Sequence, residues 1–187
     1  MTRLLKQHWN SLVVVAACLM AMFSRFVIIP PYGLNSGQWY HFGTFVVAIA
    51  IGLWLVPVSL WSKKKYVFRW WLLSGVCAIA SILVFLHYTS IIDSWTVTYF
   101  KNDRVVVGST LTPDAKAYKK QLAEKGEPVD DLSLLRDYAG RTDAVWQMDD
   151  IDRRSHSLAY WYLGVLMSLG SAVVTVTQAA YSQSNSK

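Results

Sequence analysis

Four apolar runs, set apart by polar stretches, organise this chain. They extend from about Ser11 to Ile29, Tyr40 to Trp61, Trp70 to Ile92 and Leu158 to Ala180, and the first stops at Pro30-Pro31. Each is close to the roughly 20 residues that cross a hydrocarbon core of about 30 Å. Core helices of a soluble all-α protein are usually shorter and keep a polar face, so the runs read as membrane helices. The stretch between the third and fourth has a different pattern. Trp95-Thr96-Val97-Thr98-Tyr99-Phe100 is β-branched and aromatic, Lys101-Asn102-Asp103-Arg104 is a turn, and Val105-Val106-Val107 ends at Gly108. Together they predict a β-hairpin. Thr112-Pro113-Asp114 supplies an N-cap, a proline at the first helical position and an acid in the first turn. A helix follows to about Glu124, stopped by Gly126. Asp130 or Asp131 caps another through Leu132, Leu134, Leu135 and Tyr138, with Gly140 as its stop. Asp149, Asp150 and Asp152 stand where the last helix begins, which suits its dipole. No His or Glu at ligand spacing turns them into a metal site.

The expected fold class is an all-α membrane protein. It is a four-transmembrane-helix bundle with a small α+β extracytoplasmic segment between helices 3 and 4. Residues 1–92 hold three membrane helices (about 11–29, 40–61 and 70–92). Residues 93–156 form the outer soluble segment. Residues 157–187 hold the fourth helix (about 158–180) and a cytoplasmic tail. About sixty residues bury little core alone, so the outer segment is expected to rest on the membrane helices or on a neighbouring copy.

Composition agrees with a membrane chain. Of 187 residues, 53% are hydrophobic and 16% charged, against roughly 25% charged in soluble domains. Trp39 and Tyr40, Trp54 and Trp61, and Trp70 and Trp71 fall where aromatic belts form at membrane interfaces. The net charge of +6 does not indicate nucleic acid. All 12 acidic residues lie between Asp93 and Asp152, and 10 of the 18 basic residues, from Lys101 to Arg154, balance them. The excess sits at Arg3, Lys6, Arg25, Lys63, Lys64, Lys65, Arg69 and Lys187, among apolar runs. A nucleic-acid binder carries its basic face on its soluble part. Here the excess is a topology signal. The positive-inside rule puts both termini and the 62–69 loop in the cytoplasm, and the uncharged 31–39 loop and 93–156 outside. Lys63, Lys64, Lys65 and Arg69 then become the contact site for lipid or for a cytoplasmic partner protein.

The N-terminus resembles a signal peptide, and Val15-Ala16-Ala17-Cys18 resembles a lipobox. The apolar run continues past Cys18 through Leu19-Met20-Ala21-Met22, so an uncleaved first helix is expected. Cys18 and Cys77, both in apolar runs, make neither a disulfide framework nor a metal site. Arg25 is the charge well inside a membrane run. Intramembrane charges are functional candidates, but Arg25 lies close enough to Pro30 to snorkel to the outer headgroups. Pro57 is expected to kink or end the second helix. His87, about a turn from Asp93, reads as an interfacial histidine.

Membrane helices associate through small residues. Thr44, Ala48 and Gly52 mark such a face on the second helix, Ser74, Ala78 and Ser81 on the third, and Gly164, Ser168, Ala172 and Thr175 on the fourth. These faces serve packing within the bundle, packing between copies of a homo-oligomer, or the lining of a narrow pore, with Thr177 and Gln178 near its cytoplasmic end. No phosphate loop, nucleophile elbow, metal-ligand pair or Cys-His arrangement is present, so a non-enzyme without cofactor is expected.

The words Val107-Gly108-Ser109-Thr110-Leu111-Thr112-Pro113-Asp114-Ala115, Leu134-Leu135-Arg136-Asp137-Tyr138-Ala139-Gly140, Val145-Trp146 and Ile151-Asp152-Arg153-Arg154 resemble a loop of membrane effector regions in bacterial conflict systems. That loop also precedes a last membrane helix. The four-helix plan is similar to membrane subunits of anti-phage defence such as that of Kiwa. The resemblance implies a homo-oligomer of the bacterial inner membrane. It implies a sensing or pore-forming role and a cytoplasmic partner that binds nucleic acid. It carries no functional residue over.

Two function classes follow. One is a defence effector whose outer segment senses envelope disturbance and whose helices permeabilise the membrane or signal to a partner. The other is a toxin-immunity or exclusion protein that binds a foreign protein in the inner membrane. A small transporter is disfavoured, since no inverted repeat or broken helix pair is apparent. In the sensing reading Asp93 and Trp95, with Arg153 and Arg154, join the outer segment to the third and fourth helices.

Overall fold

The computed structural model describes residues 38–60, 67–99, 103–126 and 129–184. The first predicted span, Arg25, and Lys63 to Lys65 lie outside these residues. The described chain is mostly helical with one two-stranded sheet. Its elements are α1 (Gln38–Leu60), α2 (Val67–Trp95), β1 (Thr96–Tyr99), β2 (Asp103–Val106), α3 (Pro113–Glu124), α4 (Asp131–Asp137), α5 (Thr142–Val145) and α6 (Met148–Ser184).

Among the described residues two helices, α2 and α6, are long and apolar enough to cross a membrane. At 29 and 37 residues they are longer than the apolar runs that predict them, about 44 and 55 Å at 1.5 Å per residue. Only 17% of the most apolar window of α2 is buried. Its covered face carries Trp70, Ser74, Ser81, Tyr88 and Ile92, at helical spacing. Its other face exposes Phe68, Leu72, Ile79, Leu83 and Leu86. A contiguous apolar face of this size is foreign to a soluble monomer and natural against lipid. In α1 the described apolar stretch, Gly43–Trp54, is shorter than a full span.

The chain divides into two units. The described part of the first is 38–60, 67–87 and 161–184. There α1 packs on α6 through two glycines. A Cβ on Gly43 would lie 2.9 Å from Leu163 Cδ1, and one on Gly170 would collide with Ile51. Both pairs advance in the same order along the two helices, so α1 and α6 are parallel. The His87 ring meets Trp161 edge-on, with centroids 4.4 Å apart. The late part of α2 therefore lies beside α6.

The described part of the second unit is 88–99, 103–126 and 129–160. The predicted hairpin is present, with Thr96 opposite Val106 and Tyr99 opposite Asp103. It differs at its start. Trp95 ends α2, and the strand begins at Thr96 with no loop between them. Thr96 Oγ1 donates to Ile92 O at 2.6 Å, one helical turn back. The caps fall where the sequence puts them. Thr112 Oγ1 accepts from Ala115 N at the start of α3. Asp130 forms a reciprocal capping box with Ser133 at the start of α4. Gly126 and Gly140 have φ of +76° and +79°, which glycine adopts without strain. Gly140 is also a close approach, since a Cβ there would lie 2.7 Å from Tyr99 Cε1. The core of this unit is Leu134, Leu135, Val145, Trp146, Leu158 and Ala115, each at most 1% exposed.

Candidate functional site

The 107–112 strip, which holds the first words of the resemblance, is laid against 144–150. Thr112 N donates to Val145 O at 2.9 Å and Gln147 N to Thr110 O at 3.0 Å. Leu111 and Trp146 form an antiparallel bridge. Thr112 Oγ1, besides capping α3, donates to Ala144 O at 2.7 Å. Gly108 is where the strip touches the buried indole, since a Cβ there would stand 2.7 Å from Trp146 Cβ. Glycine is required by this approach and not by its backbone angle.

Asp150, in the first turn of α6, closes the strip. Its Oδ2 accepts from Ser109 N, from Ser109 Oγ at 2.7 Å and from Thr110 N at 2.9 Å. The Ser109 hydroxyl is the main cause that holds this carboxyl below its ordinary 3.8. Desolvation opposes it, and the two amides and the Arg154 charge assist. Asp149 and Asp152 are exposed. The acids at this helix start are thus not equivalent, because one is a latch on the strip.

One turn on, Arg154 ties together three elements. Its Nη1 donates to Val107 O at 2.8 Å, and its guanidinium lies 5.4 Å from the centroid of the Trp95 ring. Val107 N in turn donates to Trp95 O at 2.9 Å. The end of α2, the end of β2 and the start of α6 therefore meet at one side chain. Of the four junction residues named from sequence, Trp95 and Arg154 are brought together. Asp93 pairs instead with Arg104 of β2 at 2.9 Å, an exposed bridge worth about 0–1 kcal/mol. Arg153 is exposed. Ser109 and Asp150 were not singled out as partners in sequence. They lie 41 positions apart, and no local pattern connects them.

The small-residue faces divide as well. Among the described residues, nothing outside their own helix turns lies within 4 Å of the position a Cβ would take on Gly164 or Gly52, whereas Gly43 and Gly170 are tightly covered. Ala48 and Ser168 are half-buried, and Ala172 is buried. Arg69 is exposed.

Asp150→Asn is expected to loosen the strip by about 2 kcal/mol at neutral pH, within the range for hydrogen bonds to a charged group. The folded pKa is lowered, so the latch contributes fully above the unfolded value of about 3.8. Its contribution is lost as pH falls through the lower folded value. Hydrogen exchange at the Ser109 and Thr110 amides should thus be faster in the variant at pH 7, with the difference shrinking below pH 4. Equal exchange at pH 7 would exclude the latch. No family model matches the chain, and it matches no curated protein and no solved structure.

Proposed function

We propose that this chain is an oligomeric, non-enzymatic inner-membrane protein of a bacterial anti-phage defence system. In this reading it has four membrane helices, with both termini cytoplasmic and 93–156 outside. The outer segment senses envelope disturbance. The membrane helices respond, by permeabilisation or by signalling to a cytoplasmic partner. The observation that carries the reading is the clamp at Arg154. Among the described residues, the two helices long enough to cross a membrane each run without a break into the segment that would sense, and their entry points share one guanidinium. A protein acting without chemistry acts by binding or by a change of state that binding biases. A clamp between both helix ends is where such a bias would act. The apolar outward face of α2 supports the membrane placement, and the loop resemblance supports the defence role.

The test is made in cells. Replacement of 96–150 by a Gly/Ser linker is expected to abolish protection from phage and infection-triggered depolarisation, at unchanged protein level. A thiol at position 101 should react with an impermeant reagent in intact cells and one at position 64 should not. Full protection by the linker variant would remove the sensing role. The reverse labelling would overturn the topology. Protection only against an added toxin would favour the immunity reading.

A further inference from the structure

One face of α6 is polar through the apolar part of the helix. Ser168, Ser171, Thr175, Gln178 and Ser182 recur at spacings of three and four, so they form one seam. Thr175, Gln178 and Ser182 are 1%, 7% and 2% exposed. Exposed residues of the same helix, such as Val176 at 42%, lie on another face. The hydroxyls are donors along their own helix. Ser168 donates to Val165 O at 2.9 Å, Thr175 to Ser171 O at 2.9 Å and Ser182 to Ala179 O at 2.9 Å. The hydroxyl hydrogens of these three are thereby used, and their oxygen lone pairs, like those of Ser171, remain to accept. Gln178 behaves differently. Its Nε2 is buried and donates to nothing among the described residues. A buried amide donor without an acceptor is costly in an apolar medium, and such groups in native structures are commonly met by ordered water.

We propose that the seam binds a file of water anchored by Gln178 Nε2, with the hydroxyl oxygens of Thr175, Ser171 and Ser168 as its acceptors. When the membrane is made leaky, this file is the path of a small monovalent cation. That second step rests on the permeabilising role proposed above. The chemistry of the seam selects the ligand. Apart from the Gln178 amide that anchors the water, its free valences are oxygen lone pairs; it carries no positive side chain to hold an anion and no carboxylate to strip a divalent ion of its water.

Water-edited solid-state NMR of the isotope-labelled full chain in proteoliposomes tests the site without a substitution. Magnetisation from water should reach the Thr175 and Gln178 side chains several-fold faster than Val176. Build-up no faster than at Val176 would overturn the proposal. In Gln178→Leu the transfer to Thr175 should fall to the Val176 rate, while the off-seam Thr177→Val leaves it unchanged. An unchanged Thr175 rate in Gln178→Leu would remove Gln178 as the anchor. Should that variant fail to insert, the wild-type comparison still decides. Depolarisation of infected cells with a dry seam would sink this inference and spare the defence reading. A wet seam in cells that never depolarise would retain the water site and sink the cation path along with the permeabilising role.

Discussion

Gly170→Leu is expected to push α1 away from α6. The site has no room, because even a Cβ collides with Ile51, itself 1% exposed. Overpacking of this kind costs about 1–3 kcal/mol. The upper end is expected here if both helices lie in lipid as proposed, since helices there gain from close approach and have no water-driven collapse to replace it. Unfolding of the full chain in mild detergent should show the loss, and Ile51→Ala should restore part of it in the double variant. Gly164→Leu is the contrast. Its Cβ position meets nothing within 4 Å among the described residues, so monomer stability should stay within about 0.5 kcal/mol. Any fall in particle mass in that variant would then report on contacts between copies alone. Equal stability of Gly170→Leu and Gly164→Leu would refute the glycine-mediated packing of α1 on α6.

The contrast between the two glycines also shows where a sequence stops being legible. A small residue every fourth position identifies a smooth helix face but not its neighbour, because in lipid every neighbour is apolar. The stripe containing Gly164 and the isolated Gly170 look alike until Ile51 is placed. Local signals were far more readable. Thr112 before Pro113, Asp130 before α4, and Gly126 and Gly140 after their helices each act within one turn of the backbone. The structure uses all four as caps or stops. The hairpin was legible for the same reason. The length of α2 and α6 was only partly so. Apolar composition marks the part that suits lipid, about 70–92 and 158–180. It does not mark the polar first turns of α6, where Asp149 and Asp150 suit the dipole. The latch and the Val107 side of the clamp lay beyond reach, since Ser109 finds Asp150, and Val107 finds Arg154, across more than forty residues; Trp95 and Arg154 were readable as a junction but not as a contact. The loop thus appeared in sequence as words without a grammar.

That clamp separates two neighbouring arginines that the sequence treats alike. Arg154→Ala removes the charged donor from Val107 O, whose residue is 2% exposed. Loss of such a bond costs about 1–3 kcal/mol, and the contact with the Trp95 face adds about 0.5–1 kcal/mol. A total near 2–3 kcal/mol is expected. Arg153→Ala, at an exposed position, should stay within about 0.5 kcal/mol. Arg154→Lys should recover only part of the loss, because an ammonium keeps the charge and loses the planar face that lies over the indole. The Arg154 charge also helps to hold the Asp150 carboxyl down. The Ala variant should therefore let the latch protonate at a higher pH, and a double-variant cycle with Asp150→Asn should show coupling. Hydrogen exchange at Val107 N, which is bonded to Trp95 O, reads the clamp directly and should quicken in Arg154→Ala alone. If the proposed sensing passes through this point, the same variant inserts normally, yet responds weakly to infection, while Arg153→Ala protects as well as wild type. Equal defects at 153 and 154 would point to bulk charge at the membrane surface. Full protection by Arg154→Ala at wild-type protein level would leave the clamp as a fixture of the outer segment's fold and would break the link from that segment to α2 and α6.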